Sequence, residues 1–182
     1  KRKMGASFLA QNGGKQSLTL NLKKAEGKEV LFRLVKSADV LIENFRPGVM
    51  NRLGVGYDVL KEINPRLVYC AISGFGQEGP MKFAPAYDQI VQGLSGVMSI
   101  TGSEETAPLR VGYPVADTIG GITAAFAVSS ALVRQARTGE GEFIDVSMLD
   151  STVVTMGWVV SNFLIAGKTP RPMGNENFTA AP

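Results

Sequence analysis

Short apolar runs alternate with helical patterns along this chain, and this alternation restricts the possible folds more than any other feature. Val40–Ile42 and Leu67–Ile72 are apolar over almost their whole length, which is typical of strands buried on both faces. Leu18–Leu22 and Phe143–Met148 predict two further strands. Strands separated by helices build βαβ units. The sequence therefore predicts an α/β fold, an open parallel, Rossmann-like sheet with flanking helices.

The segments between and after the strands repeat apolar residues at helical spacing. Helices are expected at Ala25–Ser37, from Val49 onward, at Tyr57–Ile63, at Tyr87–Ile100, from Asp117 to about Arg137, and at Asp150–Ile165. The last two patterns are strongly apolar, but their uninterrupted apolar stretches are shorter than the ~20 residues that span a bilayer. We therefore expect core helices and no membrane partner. The tail, Lys168–Pro182, is interrupted by prolines and predicts a linker or a cut end.

Composition excludes several kinds of catalytic site. The 182 residues contain no histidine, which excludes Ser–His and Cys–His nucleophile pairs and His-ligated zinc within this chain. With one cysteine, Cys70, the chain forms no internal disulfide and no thiolate metal site, which favours a reducing compartment such as the cytoplasm. The net charge of +3 is mild, and the basic residues, which concentrate near the start, are not interleaved with aromatics. We therefore expect no metal and no nucleic-acid partner.

One carboxylate, Asp117, stands at the start of the long apolar helix pattern. Aspartate is a favoured N-cap, because its oxygen accepts hydrogen bonds from the free amides of the first turn. Those amides and the helix dipole would keep the carboxylate ionised. Gly120 and Gly121 leave this end of the helix open to another backbone or to a ligand. Asp117 is therefore either a structural cap or an ionised carboxylate nucleophile.

Ligands bind open parallel sheets at the carboxyl ends of the strands. The sequence places Lys23 after the first predicted strand, and Asn44, Phe45 and Arg46 after the second. Two cations, an aromatic ring and loop amides suit a nucleotide-like ligand, with the ring against a base and the cations on phosphate. In the alternative interpretation, Phe45 belongs to the core and Arg46 is solvated. No glycine-rich phosphate loop follows any strand.

An ordered set of short motifs runs through most of the chain. The set comprises Asn12-x-x-Lys15-x-Ser17, Ala25–Glu29, Ala38–Met50, Leu53-Gly-x-Gly56, Asn64–Arg66, Ser73–Pro80, Tyr87-Asp88, Ser95-Gly96, Thr101-Gly102, Asp117 and Thr138-Gly-x-Gly141. Single members are weak, but the order of the set is specific, and so is Glu43-Asn-Phe-Arg-Pro-Gly48. By these motifs the chain resembles the family III CoA-transferases, to which the α-methylacyl-CoA racemases are related by fold.

The resemblance implies a role for particular residues. Asp117 falls on the catalytic aspartate of the family. Tyr87 falls where the racemases have a catalytic histidine and the transferases commonly have tyrosine, which implies a substrate-binding role. The positions that hold the adenosine and phosphates of coenzyme A correspond to Leu20, Lys23, Asn44, Phe45, Arg46, Arg52 and Leu53.

The resemblance also implies how the whole protein works. Family members are longer, so residues 1–182 are expected to be part of the large domain, without its first strand and helix and without the small domain. They are acyl-CoA:carboxylate CoA-transferases that act through aspartyl anhydride and aspartyl-CoA thioester intermediates. They form interlocked homodimers and use coenzyme A as substrate, with no permanently bound cofactor. The expected location is the cytoplasm, or the mitochondrial or peroxisomal matrix in a eukaryote.

Two alternatives remain open at this point. One is an acyl-CoA racemase or isomerase of the same fold, against which the absence of histidine weighs. The other is a CoA-binding fragment without catalysis.

Overall fold

A computed structural model describes residues 5–176 of the chain. Its centre is a parallel sheet with the strand order β1-β2-β3. The strands are β1 (Val40–Glu43), β2 (Val68–Ser73) and β3 (Glu142–Ser147). Cys70 of β2 lies in register with Ile42 of β1 on one side and with Ile144 of β3 on the other. The predicted open parallel sheet is therefore confirmed, and its three strands lie at the predicted positions to within a residue or two.

Helices flank the sheet and follow it along the chain. In chain order they are α1 (Ala6–Gln11), α2 (Ala25–Val35), α3 (Val49–Arg52), α4 (Tyr57–Ile63), α5 (Asp88–Ser95), α6 (Val115–Thr138), α7 (Met148–Thr155) and α8 (Gly157–Ala166). A short 3₁₀ helix, Val97–Ile100, lies between α5 and α6.

The two faces of the sheet are covered by different helices. On one face, Tyr69 of β2 packs in a cluster with Val35 of α2 and Leu60 of α4. On the other face, Val68 and Cys70 pack against the buried side of α6, which includes Ala124. Burying such a valine or leucine contributes about 1.5–3 kcal/mol each, so these two clusters hold α6 and the helices around β1 in fixed positions on the sheet.

The expected strand at Leu18–Leu22 is wrong, because this segment is irregular. Asn21 turns the chain here: its side-chain Oδ1 accepts the Lys23 amide at 3.1 Å, and its carbonyl oxygen accepts the Lys24 amide at 3.0 Å. The turn lies against the first turn of α2, where a methyl group at Gly27 would overlap the Asn21 carbonyl. The alternating pattern of Leu18–Leu22 therefore leads into a helix start, and not into the sheet.

Two expected helices are each divided in the structure. Tyr87–Ile100 is broken at Gly96, whose φ of 86° ends α5 in the left-handed conformation that glycine adopts without strain. Asp150–Ile165 is broken at Met156, where α7 and α8 bend by 78° and the Met156 side chain is buried. Both breaks change the direction of the chain without changing the predicted order of elements.

Among the described residues, α6 is a helix long and apolar enough to cross a membrane, and α7 with α8 would be a second if the bent pair were one span. One side of α6 packs on β2 and β3, as expected of a core helix. The absence of a membrane partner stays a prediction. The basic residues at 1–3 and the end of the expected linker, 177–182, lie outside the described residues.

Candidate active site

Asp117 lies in the first turn of α6, but it is not the residue that caps this helix. The N-cap position is Pro114, and the Asp117 side chain makes no capping hydrogen bond. The expectation of a structural cap is therefore wrong. Its carboxylate is exposed at the end of the helix, beside the start of α5.

The carboxylate that binds the start of α6 comes from α5. Asp88, whose side chain is only 5% exposed, accepts the Ala116 amide at 2.9 Å and the Asp117 amide at 3.3 Å through Oδ1. Its other oxygen, Oδ2, accepts a hydrogen bond of 2.6 Å from Nε2 of Gln92, one turn further along α5. Asp88 therefore performs from another helix the capping role that the sequence assigned to Asp117.

This arrangement changes the expected electrostatics of Asp117. The carboxyl is only partly covered by its surroundings, but the partial loss of solvent raises its pKa above the usual value, and the negative charge of Asp88 raises it further. The sequence predicts the opposite, since free amides at a helix start favour the ionised form. Those amides already donate to the negatively charged Asp88. The positive end of the helix dipole is therefore offset and does not lower the pKa of Asp117.

Free backbone N–H groups at a helix start are natural donors to an oxyanion that forms beside it. In the structure these donors are occupied. The Val115 amide donates to the Tyr113 carbonyl at 2.8 Å, and the Thr118 amide donates to the Pro114 carbonyl at 3.0 Å. The two amides between them are those bound by Asp88. Any donors that stabilise an oxyanion beside Asp117 therefore come from outside this turn.

The two glycines after Asp117 have different surroundings. A methyl group at Gly120 would lie 3.1 Å from the Met148 side chain, so this glycine lets α7 pack closely on α6. A methyl group at Gly121 would meet no atom within 4 Å. The sequence predicted that both glycines leave space for another backbone or a ligand at this end of the helix. In the structure that space is present only beside Gly121.

Tyr87 immediately precedes α5 and lies next to Asp88 in the chain, at the corner where α5 meets α6. It is the N-cap residue of α5, and its side chain is 72% exposed. The phenol of Tyr87 is therefore accessible to a ligand from solvent. Its substrate-binding role stays a prediction.

Asn44, Phe45 and Arg46 follow β1, as predicted, and lie at the carboxyl end of the sheet. Nδ2 of Asn44 donates to the Ile72 carbonyl at 2.7 Å, which fixes this loop to the end of β2. The Phe45 amide donates to Oε2 of Glu43 at 2.7 Å. Burial raises the pKa of Glu43, although this hydrogen bond opposes the shift. Phe45 is 49% exposed and Arg46 is exposed, so neither side chain is committed to the core.

The remaining candidate coenzyme residues lie on α3 and before α2. The Arg52 guanidinium folds back toward the chain, since a methyl group at Gly48 would lie 3.1 Å from its Nη1. Leu53 packs at the margin of the core cluster on this face. Lys23 is exposed in the turn before α2, and Leu20 is half-buried in the irregular segment before it. The joint action of these residues on coenzyme A stays a prediction.

Sequence reasoning missed two residues of this site, Asp88 and Gln92. Both are buried, and their i, i+4 spacing on a short helix was the available signal. Nothing in the neighbouring sequence indicated that Asp88 binds the amide of Ala116, 28 residues further along the chain. Among residues 5–176, no group of three or more potential metal ligands is present, which leaves the expected absence of a metal untested.

Comparisons with known proteins show the family to which the chain belongs. The family model described as CoA-transferase family III matches residues 1–182. An acetyl-CoA:oxalate CoA-transferase of Acetobacter aceti is 46% identical over 176 residues, which are 96% of this chain and 45% of that protein. A succinate–glutarate CoA-transferase of Agrobacterium fabrum is 42% identical over 177 residues, which are 97% of this chain and 44% of that protein. The chain thus spans about half the length of the curated relatives it matches.

Solved structures give the same result. The crystal structure of a CAIB/BAIF family protein from Brucella suis superposes with a TM-score of 0.87 at 41% sequence identity, over 93% of this chain and 45% of that one. The identity of 41% is well above the level at which a structural likeness shows the fold alone. The chain belongs to CoA-transferase family III.

Proposed function

We propose that the full-length protein is an acyl-CoA:carboxylate CoA-transferase in which Asp117 is the covalent nucleophile. The observation that carries this proposal is the position of Asp117 at the start of a core helix. Its carboxylate is accessible, and its backbone amide donates a hydrogen bond to Asp88 on α5. Membership of CoA-transferase family III supports the reaction class.

The proposed reaction begins with attack of an Asp117 carboxylate oxygen on the thioester carbonyl of the donor acyl-CoA. The C–S bond breaks, the CoA thiolate leaves, and a mixed acyl–aspartyl anhydride remains. The thiolate then attacks the Asp117 carbonyl of the anhydride. This releases the donor carboxylate and leaves an aspartyl-CoA thioester.

The second half repeats these steps with the acceptor. Its carboxylate attacks the aspartyl thioester carbonyl, which forms a new anhydride and releases the thiolate. The thiolate attacks the acyl carbon of the acceptor, so the product is acceptor-CoA and the Asp117 carboxylate is regenerated. No net proton is consumed, and one difficult exchange is divided into reversible steps of similar energy, as expected of covalent catalysis.

We further propose small carboxylic acids, with dicarboxylates first among them, as acceptors. The two relatives described above support this class, since their names specify oxalate and a succinate–glutarate pair. Coenzyme A enters as substrate and not as a resident cofactor.

We also propose an interlocked homodimer in a reducing compartment, either the cytoplasm or an organelle matrix. The apolar end of α8 supports the homodimer, since Leu164 and Ile165 are 73% and 86% exposed. The buried free thiol of Cys70 supports the reducing compartment.

Exchange of labelled coenzyme A tests the reaction class. The full-length protein is incubated with an acyl-CoA, labelled in its coenzyme, and a panel of dicarboxylic and hydroxy acids, and the acyl-CoA products are separated by chromatography. Transfer of label to a new acyl-CoA is the expected result. Loss of the α-proton without transfer would instead identify a racemase or isomerase, and binding without either would identify a non-catalytic CoA-binding protein.

Removing a cation from the proposed coenzyme site should weaken binding of acyl-CoA selectively. We expect Lys23→Ala and Arg52→Ala each to raise KM for acyl-CoA about tenfold or more, because a hydrogen bond to a charged group contributes roughly 1.5–3 kcal/mol. KM for the acceptor acid should change little. Lys36→Ala, a similarly exposed cation at the opposite end of α2, is the matched control. Unchanged KM values in both variants would mean that Lys23 and Arg52 are only solvated.

Tyr87→Phe should lower transfer about tenfold without abolishing it. A neutral phenol is a good hydrogen-bond donor but a poor base, so its loss removes roughly one hydrogen bond to the substrate. Steady-state kinetics of the variant measure this loss. With an α-methylacyl-CoA in deuterated water, the wild type should incorporate no α-deuterium. Incorporation that disappears in Tyr87→Phe would show that the tyrosine abstracts a proton and would contradict the transferase mechanism.

A further inference from the structure

We infer that Asp88 is a positioning residue of the proposed transferase: from α5 it fixes the backbone that carries Asp117. The inference rests on the proposed function for its catalytic consequence. The contacts that carry it are hydrogen bonds between groups that the fold buries.

The first step is the contact between the two helices. One oxygen of Asp88 accepts both the Ala116 amide, at 2.9 Å, and the amide of Asp117 itself, at 3.3 Å. Ala116 is fully buried and Asp88 nearly so, which makes this contact a fixed part of the interior. The peptide plane that carries Asp117 is therefore oriented by a group on another helix, whereas the Asp117 side chain itself projects from the surface.

The second step is the support behind Asp88. Gln92 is fully buried, and its amide nitrogen donates to Asp88 at 2.6 Å. Its carbonyl oxygen accepts the Val111 amide at 2.9 Å, and its nitrogen also approaches the Tyr113 carbonyl at 3.5 Å. The Asp88–Gln92 pair thus fastens both the segment before α6 and the first turn of α6 to α5. Breaking one link would leave buried donors unpaired, which destabilises the attachment of both segments to α5.

The third step concerns charge. The elements packed on α6 carry further titratable groups: Asp150 on α7, Glu142 and Asp145 on β3, and Tyr69 and Cys70 on β2. Of these and Asp88, only Asp88 is a source of charge that raises the pKa of Asp117. A more basic carboxylate is a stronger nucleophile once ionised. Burial is the larger cause of the raised pKa, and Asp88 adds to it. Asp88 therefore orients the backbone of the attacking group and contributes to its basicity.

A pair of matched variants of the full-length enzyme tests the inference. Asp88→Asn removes the charge and places an amide donor against the Gln92 donor. The double variant Asp88→Asn/Gln92→Glu restores that hydrogen bond with donor and acceptor exchanged, and it moves the carboxylate one link further from Asp117. The measurements are kcat, KM and the pH dependence of kcat/KM for all three proteins, with melting temperatures to monitor folding.

We expect Asp88→Asn to lower kcat by about tenfold to a hundredfold, since small displacements of a reacting group have effects of that size. The acidic limb of the pH profile should move to lower pH, because removing a neighbouring negative charge lowers the pKa of Asp117. The double variant should recover most of the melting temperature and part of kcat, and its acidic limb should remain below that of the wild type.

Wild-type kcat in both variants would overturn the inference. So would a loss of kcat that follows the melting temperature while the acidic limb stays in place in both variants, because Asp88 would then be only structural. A carbon-13 NMR titration of the Asp117 carboxyl in the resting enzyme separates this question from the reaction class. If the wild type exchanged no coenzyme A, the proposed function would fail. The effect of Asp88 on Asp117 would be rejected separately, by finding the same pKa for Asp117 in the wild type and in Asp88→Asn.

Discussion

Asp117→Ala is expected to reduce CoA transfer by at least about 10³-fold while leaving the fold intact. Loss of a covalent nucleophile removes the central intermediates of the reaction, and effects of this size or larger follow from removal of such groups. The structure makes alanine a clean substitution. The Asp117 side chain makes no capping hydrogen bond, and the amides of the turn are held by Asp88.

The stability of the variant follows from the sign of the pKa shift. A carboxyl whose pKa is raised by folding stabilises the folded state below its unfolded pKa and loses that contribution as the pH rises through the folded pKa. At neutral pH the ionised Asp117 is therefore slightly unfavourable for folding. We expect the melting temperature of Asp117→Ala or Asp117→Asn to be unchanged or slightly raised.

Trapping during turnover identifies the nucleophile directly. Hydroxylamine should convert the aspartyl thioester to a hydroxamate at position 117, and borohydride should reduce it, and peptide mass spectrometry locates either product. Asp150→Asn, which changes another exposed carboxylate in the first turn of a helix, is the control and should retain both transfer and trapping. A product on Asp150 or Glu142 in the wild type would reject Asp117 as the nucleophile.

The sheet was predictable from the sequence because its signal is local. Leu67–Ile72 is apolar throughout, and the structure buries most of β2 between helices on both faces. The same argument failed for Leu18–Leu22, where alternation over five residues satisfied the pattern of a strand. A turn stabilised by Asn21 and a close contact at Gly27 decide that segment, and neither is visible in hydrophobic periodicity.

The position of the candidate nucleophile Asp117 was predictable, but its environment was not. Asp117 was recognisable as a single carboxylate before an apolar helix, and the family motif pointed to the same residue. The free amides of Ala116 and Asp117 donate to Asp88, which lies 28 and 29 positions earlier in the chain. Asp88 reaches them only after α5 and α6 have packed together, so the pKa of Asp117 is raised by a tertiary contact where local rules expect it to be lowered.

The helix boundaries show a similar limit. Gly96 carries a local stop signal, since glycine commonly ends helices in the left-handed conformation, and its φ of 86° agrees. The bend between α7 and α8 also coincides with a glycine, since Gly157 follows Met156 and begins α8. This glycine lies within a helical conformation, so it is a weaker local signal than Gly96, and the continuous apolar pattern concealed the break.

Gly141→Ala is expected to be the most destabilising single-methyl change at the sheet. Gly141 begins the approach to β3, where its amide donates to the Pro65 carbonyl at 2.8 Å. A methyl group there would overlap the Leu67 carbonyl oxygen and would lie 2.6 Å from the Arg66 carbonyl carbon. These are backbone atoms at the start of β2, so no side chain can rotate away and the strands themselves must separate.

We expect a loss of about 3 kcal/mol or more in the free energy of unfolding, at the upper end of the usual cost of overpacking. Gly93→Ala is the matched control, because a methyl group in this turn of α5 would meet only the Met98 sulfur, at 3.8 Å. The control should gain up to about 1 kcal/mol from helix propensity. Urea unfolding of the full-length protein measures both changes.

Equal stability of Gly141→Ala and the wild type would show that β2 and β3 can move apart at their starts without cost. That result would also weaken the assignment of a fixed position to Asp117, because α6 is held on the sheet by packing on those same two strands. A large loss at Gly141 together with a gain at Gly93 would instead show that the close approach of β3 to β2 is a rigid constraint. The two strands on which α6 packs would then hold a fixed separation. A fixed support for α6 favours precise alignment of Asp117 with a thioester carbonyl.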